Sequence, residues 1–327
     1  SSDLERDTKT FLEYLRNDED IHEKKFGNIS SFNFKKEVFF NGNWTLKNIK
    51  ARGIFINTET NEIVGRGYEK FFNIGEREET QLESLKKNMK FPAVAYVKEN
   101  GYLGIVGVDT QTFEFVFASK SSIVSEHAEW LKNQFYRIVS DENVQRELKL
   151  YMVENNVALV FEVIEPINSP HIIEYEDSKL VLLDVIKRTP AFEKLRYQEV
   201  VKVGKKYGFA VKKIGGIFKD WEGFIKWYNG INKKDFQFNK QYIEGFVIED
   251  KDGFMVKIKL HYYSFWKQLR SLKDKIARGQ EIKLDELADE TAKNFAQFVM
   301  NLPVKEQGLD IIELRNRFYG KRKEEIT

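Results

Sequence analysis

Ala95-Tyr96-Val97-Lys98-Glu99-Asn100-Gly101-Tyr102-Leu103-Gly104 is the stretch from which the rest of the chain is read. The apolar run 91–97 predicts a strand, and Lys98 closes it. Gly101 follows three residues later, where freedom to take positive φ would permit a tight turn. Residues 102–108 predict the returning strand. The lysine is left at the mouth of a strand-turn-strand unit, with its amine open to a ligand. Lys-x-x-Gly alone is a weak pattern. A chain of 327 residues with 20 glycines meets it by chance, and by itself it describes a surface hairpin lysine.

Further stretches change that weighting. The run 157–164 carries Glu162 among Ala158, Val160, Phe161 and Val163. Strand side chains alternate between faces, so Glu162 shares a face with Ala158 and Val160. A carboxylate there is costly unless it is paired or liganded. Residues 242–248 contain Glu244-Gly245, and Glu249-Asp250-Lys251-Asp252-Gly253 supplies the turn of a hairpin. In the second strand of that hairpin Val256, Ile258 and Leu260 face one way, and Lys257 and Lys259 the other. Two lysines side by side on a strand repel each other unless an anion lies between them.

In this order the pieces resemble the covalent lysine nucleotidyltransferases, the superfamily of ATP-dependent ligases and RNA-capping enzymes. Upstream, Lys50-Ala51-Arg52-Gly53-Ile54-Phe55 and Tyr68-Glu69-Lys70-Phe71-Phe72-Asn73 look like the RNA ligase branch. That branch is typified by the T-even phage enzyme that repairs cleaved tRNA, and fungal and plant tRNA ligases share the layout. The resemblance spans about residues 30–265. It implies an α+β fold: a largely antiparallel two-sheet nucleotidyltransferase core, ATP-grasp-like, with a small all-helical C-terminal appendage. Residues 1–263 would form the adenylyltransferase domain and 264–327 the helical one.

The resemblance also implies roles. Lys98 would take AMP from ATP, with Mg²⁺ or Mn²⁺, and Lys257 and Lys259 would share the catalysis. Arg52, Lys70 and Lys120 would contact phosphates. Glu162 would hold the ribose, and Glu244, beside Gly245, the phosphates and metal. Gly101 belongs to the lysine motif, and Tyr263 matches a functional aromatic just past the Lys-x-Lys strand. Phe72 would stack on adenine or belong to the core. An aromatic residue before the Arg-Gly strand would help to hold the nucleotide, and Phe32 and Phe34 are both candidates. The implied partner is RNA with 5′-phosphate and 3′-hydroxyl ends, tRNA included. An end-healing kinase or phosphatase, fused or separate, would cooperate with it.

Composition bounds these readings. The chain is 42% hydrophobic and 14% aromatic, ample for a core. Its formal net charge is +2, so nucleic-acid binding must come from a local patch. It has no cysteine, which excludes disulfides and thiolate catalysis, and its 4 histidines lack metal-ligand spacing. No apolar run approaches the roughly 20 residues of a membrane span, and no signal-peptide core is seen near the start. A soluble cytoplasmic protein is expected. Locally, residues 4–16 predict a helix, 28–33 a polar turn, 32–34 and 38–40 short strands ahead of a hairpin turn at Asn41-Gly42-Asn43. Residues 75–90 and 192–207 predict helices, and 180–186 an apolar strand buried on both faces. Beyond residue 263 only helices are predicted. The first carries Lys267, Arg270, Lys273, Lys275 and Arg278, a run suited either to tracking phosphates or to a solvated face.

A lysine attacks phosphorus only as the neutral amine. A reference pKa of ~10.4 makes that form roughly 4–5 kcal/mol unfavourable at pH 7. Nearby cations and desolvation reduce the deficit. Each transfer step builds negative charge at phosphorus, which a ring of Arg52, Lys70, Lys120, Lys257 and Lys259 would stabilise. A second reading, a ligase-fold nucleic-acid-binding module without catalysis, needs no activated amine, and the intact lysine, glutamate and Lys-x-Lys set argues against it. DNA ligases and capping enzymes usually place an OB-fold after the Lys-x-Lys strand, where this chain continues into helices.

Overall fold

The computed structural model of the chain describes residues 2–326. Its strands in chain order are β1 (Ile21–Phe26), β2 (Ile29–Phe34), β3 (Ile54–Asn57), β4 (Glu62–Arg66), β5 (Phe72–Asn73), β6 (Ala93–Lys98), β7 (Tyr102–Asp109), β8 (Glu114–Ala118), β9 (Val157–Ile164), β10 (Lys179–Lys187), β11 (Ala210–Val211), β12 (Ile214–Phe218), β13 (Gly245–Glu249) and β14 (Met255–Lys259). The helices are α1 (Ser2–Arg16), α2 (Lys36–Asn41), α3 (Leu82–Asn88), α4 (Glu126–Ile138), α5 (Glu142–Asn155), α6 (Tyr197–Tyr207), α7 (Trp221–Ile231), α8 (His261–Ala277), α9 (Glu290–Met300) and α10 (Ile311–Ile326). They form two compact units. The first comprises residues up to 72, 101–164 and 178–213, and the second 73–100, 165–177 and the chain from 214 onward.

In the first unit β7, β9 and β10 are the centre of the sheet β11-β10-β9-β7-β8, antiparallel except for the parallel β10–β11 pair. Strand β9 is buried along its whole length because it is covered on both sides. Leu159, Phe161 and Val163 pack beneath Leu131 and Phe135 of α4, Leu148 and Met152 of α5 and Val200 of α6. On its other side Ala158 meets Ile105, and with it Phe55 and Val64 of a second sheet, the antiparallel β1-β2-β3-β4. Glu162 alternates with Phe161 and so lies on the Ala158 side.

The second unit is built on the strands β12-β6-β13-β14 of the other five-stranded sheet. Ala93, Ala95 and Val97 of β6, Phe246 and Ile248 of β13, and Val256 and Ile258 of β14 form one face, covered by Leu85 of α3 and Phe224 of α7. Beyond β14, α8, α9 and α10 share a core of Trp266, Leu269, Phe295, Val299, Leu314 and Phe318, which also takes in Ile172.

The expected α+β, largely antiparallel architecture is present, with two five-stranded sheets and a four-stranded one. Local readings need correction. Residues 38–40 are helical, not a strand, and Gly42 at φ 66° is the left-handed cap of α2, not a hairpin turn. Residues 29–33 are strand β2, paired with β1, which the polar sequence 21–26 does not announce. Within 75–90 only α3 is α-helical, and α6 starts at Tyr197, not 192. The 180–186 strand is not wholly apolar: it buries Asp184.

Candidate active site

The strand register explains why the lysine motif and the hairpin belong together. Gly245 of β13 pairs with Lys98 on one side and with Lys259 on the other. Directly opposed residues share a face, so the two lysines stand on either side of a residue without a side chain. Lys257, two positions from Lys259, lies on that same face and is buried. A Cβ at Gly245 would overlap the Ile258 carbonyl, so any larger residue pushes β13 and β14 apart.

Glu244 governs this face. It is buried, and its Oε2 forms an ion pair with Lys98 Nζ. Its Oε1 accepts from Asn100 Nδ2 at 3.3 Å. Asn100 Oδ1 in turn accepts the backbone N–H groups of Ile172 (2.8 Å) and Ile173 (2.9 Å). The Asn100 N–H donates to the Tyr175 hydroxyl, which donates to Glu99 Oε2 at 2.8 Å. The turn behind Lys98 is therefore fixed at both of its middle residues. Lys259 has its pKa lowered, first by burial and then by Lys267; Lys98 adds to the lowering and Glu244 opposes it. Tyr263 is buried, with Lys259 Nζ 5.8 Å and Lys267 Nζ 5.9 Å from its ring centre.

The first unit gathers its own set. Glu162 Oε1 accepts the Gly101 N–H at 2.9 Å. Gly101 does not take the positive φ expected of a turn glycine. It is required because a Cβ there would run into the Val163 carbonyl oxygen. Arg52 has its pKa lowered by burial, and the charge of Glu162 pulls it back up. Gly53, at φ 60°, donates its N–H to the Lys120 carbonyl at 3.0 Å, which brings the Arg-Gly pair to the end of β8. Lys120 has its pKa lowered by burial and, next, by Arg52. Two cations beside one carboxylate suit an anionic ligand.

Lys70 sits among aromatic rings. Its Nζ is 5.3 Å from the centre of Phe72 and 5.5 Å from those of Phe39 and Trp44. Phe72 is buried and packs edge-on against Trp44, so it is a wall of the Lys70 surround. Of the two candidates upstream, Phe32 is fully buried in the core of the α1 side, whereas Phe34 is half-buried and lies edge-on to Trp44 at 4.7 Å. Trp44 escaped the sequence reading, although a tryptophan just behind Asn41-Gly42-Asn43 is a visible signal.

Asp184 was also missed. It pairs opposite Val160, on the Glu162 side of the sheet. It accepts from the Tyr68 hydroxyl, from Lys194 Nζ at 3.3 Å and from Lys212 Nζ at 3.1 Å. On the next residue Glu69 holds Lys50 at 3.0 Å and Arg66 at 3.5 Å. Lys70 thus follows two anchored residues. Replacing Asp184 by alanine removes the common acceptor of a buried cluster. A destabilisation of about 3–5 kcal/mol is expected, read as a fall in the urea midpoint with an unchanged slope.

Among the described residues no group of three or more His, Asp or Glu side chains is arranged to hold a metal ion. Glu244, a buried carboxylate, has the oxygen donors that a hard cation takes when its other ligands come from substrate phosphates. No described helix is long and apolar enough to cross a membrane.

A family model described as RNA ligase matches residues 50–263. The chain is 26% identical over 322 residues to the tRNA ligase of Candida albicans, covering 83% of this chain and 38% of that protein. It is 26% identical over 259 residues to tRNA ligase 1 of Schizosaccharomyces pombe, covering 71% of this chain and 32% of that one. The chain spans well under half the length of these curated relatives. An archaeal ATP-dependent RNA ligase has a similar fold, with a TM-score of 0.55 at 14% identity over 95% of this chain and 74% of its own. A putative ATP-dependent DNA ligase from Aquifex aeolicus does too, at 0.54 and 16% identity, over 96% and 80%. Every site residue from Arg52 to Tyr263 lies inside the span that the family model matches, and the chain belongs to the RNA ligase family.

Proposed function

We propose that this chain is an ATP-dependent RNA ligase that joins a 5′-phosphate to a 3′-hydroxyl, acting in RNA repair with tRNA among its substrates. The register of Lys98, Gly245 and Lys259, with Glu244 holding the Lys98 ammonium, is the observation that carries the reading. Lys98 Nζ loses its proton and attacks the α-phosphorus of ATP; a P–N bond forms and pyrophosphate leaves. The RNA 5′-phosphate oxygen then attacks the same phosphorus, the P–N bond breaks and RNA-adenylate forms. Finally the 3′-hydroxyl attacks the activated 5′-phosphate, and AMP leaves.

Lys257 and Lys259 offset the charge that develops at phosphorus, and Tyr263 supports Lys259. Arg52, Lys70 and Lys120 contact phosphates, Phe72 lines the same surround, and Gly101 lets Glu162 reach the nucleoside ribose. Mg²⁺ or Mn²⁺ would neutralise triphosphate charge, with Glu244 as its protein ligand. Incubation with radiolabelled ATP or GTP and either metal, followed by a denaturing gel, tests the reading. ATP is expected to label the protein and GTP is not; a protein that takes no label from ATP removes the reading.

Lys259 and Lys120 both have lowered pKa values, with burial as the first cause. A bound polyphosphate favours the charged forms and raises both. As pH climbs toward the lowered pKa values, ATP binding is therefore expected to take up protons. Calorimetry in buffers of different ionisation enthalpy reads the uptake, and none at alkaline pH counts against these contacts.

Residues 1–263 would carry adenylyl transfer and 264–327 RNA selection. Lys273 is buried against Asp274, so it leaves the proposed phosphate-tracking run, while Lys275 and Arg278 stay exposed. The helices share a core with Tyr263 and Ile172, so charge reversal tests the division better than truncation. Lys275→Glu with Arg278→Glu is expected to lower RNA affinity across sequences. The salt slope should fall by about one for each phosphate no longer neutralised, with ATP labelling retained. A cytoplasmic location and an end-healing kinase or phosphatase partner complete the proposal. The length of the fungal relatives outside the match leaves room for such modules in those proteins.

A further inference from the structure

Helix α2 and the loop behind it leave apolar groups in water. Phe39, Phe40 and Leu46 are 53%, 77% and 83% exposed. Their exposure is not needed to hold the segment. Val38 is the buried residue of α2, and Gly42 caps it by donating its N–H to the Val38 carbonyl. The Phe40 ring, the more exposed of the two, is thus left largely to solvent.

The rings form a file. Phe40 lies 5.7 Å from Phe39, Phe39 lies 6.5 Å from Trp44, and Trp44 lies 5.4 Å from Phe72, each in an edge-on arrangement. The file starts in solvent at Phe40 and ends at the buried Phe72 beside the Lys70 ammonium. At its outer end Lys36, one helical turn before Phe40 on α2, is exposed. Aromatic faces flanked by cations at both ends are the composition of a surface that stacks unpaired bases and tracks their phosphates. An apolar protein partner would have no use for the lysines.

We propose that this file is a stacking platform for unpaired RNA bases adjoining the ends to be joined, with Phe40 as its outermost ring. The proposal rests on the RNA ligase reading, and the test separates the two. Phe40 is not among the groups placed in the catalytic machinery, and its exposure makes substitution mild for the fold.

Binding of a fluorescent single-stranded RNA with a 5′-phosphate is measured for the full chain and for Phe40→Ser, Phe40→Leu and Phe40→Trp. The rate of ATP labelling and the sedimentation of each protein are measured alongside. Both Phe40→Ser and Phe40→Leu are expected to weaken RNA binding roughly 5-fold to 100-fold, the range of one missing stack. Phe40→Trp should restore it, labelling should be unchanged throughout, and affinity for a blunt RNA duplex should not move. Wild-type RNA affinity in the serine and leucine variants overturns the platform. Leucine restoring affinity overturns it too, because apolar contact rather than stacking would then suffice. So does a wild-type dimer that the serine variant dissolves, since the face would be an interface between copies. Failure of the wild type to label with ATP removes the ligase reading instead, whatever the RNA affinities.

Discussion

Lys98→Ala and Lys98→Arg are both expected to take no label from ATP and to seal no RNA. Alanine removes the nucleophile outright, but it also leaves the buried Glu244 carboxylate without its cation. Part of any loss in that variant could come from a loosened turn. Arginine separates the two effects. It keeps a positive charge for Glu244 and cannot deprotonate at accessible pH, so it preserves the ion pair and abolishes the attack. The comparison needs a denaturing gel for the adduct and a thermal melt for the fold. Labelling at the wild-type level in either folded variant would assign the nucleophile elsewhere.

The parts of this site that were legible in the sequence are those written as alternation within one strand. Val256, Ile258 and Leu260 against Lys257 and Lys259 declare a face, and so does Glu162 among Ala158 and Val160. Pairing across distant strands has no such signature. Nothing local to Gly245 says that Lys98 stands on one side of it and Lys259 on the other. The glycine of the lysine motif was legible as necessary but for the wrong reason: the carbonyl of Val163, far along the chain, occupies the space a side chain would need.

Asp184 shows a different limit. One charge in an apolar run is easily absorbed into the run, and its partners Tyr68, Lys194 and Lys212 are scattered over the chain. Val38-Phe39-Phe40 has the β-branched and aromatic make-up of a strand, a preference that context readily overrides. There it became a short helix because only Val38 finds a core and Gly42 supplies the left-handed cap. Strand β1 was invisible because its residues between Ile21 and Phe26 are polar or charged, on the edge of its sheet.

Glu244→Gln is expected to lower both Lys98 labelling and sealing by about 10²–10³, the usual scale for removing one preorganised electrostatic group. Glutamine keeps the volume, and its carbonyl still accepts from Asn100 Nδ2, so the turn held through Ile172 and Ile173 survives. What disappears is the charge. Lys98 Nζ loses the carboxylate that positions it, and the Lys259 ammonium loses the charge that offsets its burial and the nearby Lys267. Glu244→Ala removes the Asn100 hydrogen bond as well as the charge, so it should also lower the melting temperature, whereas the glutamine variant should melt near the wild type. If Glu244 also serves the metal, the glutamine variant should need more Mg²⁺ for half-maximal labelling. Its ATP affinity without metal, read by fluorescence, should change little. Wild-type sealing rates in folded Glu244→Gln would remove this carboxylate from the chemistry and leave it as a structural partner of the lysine turn.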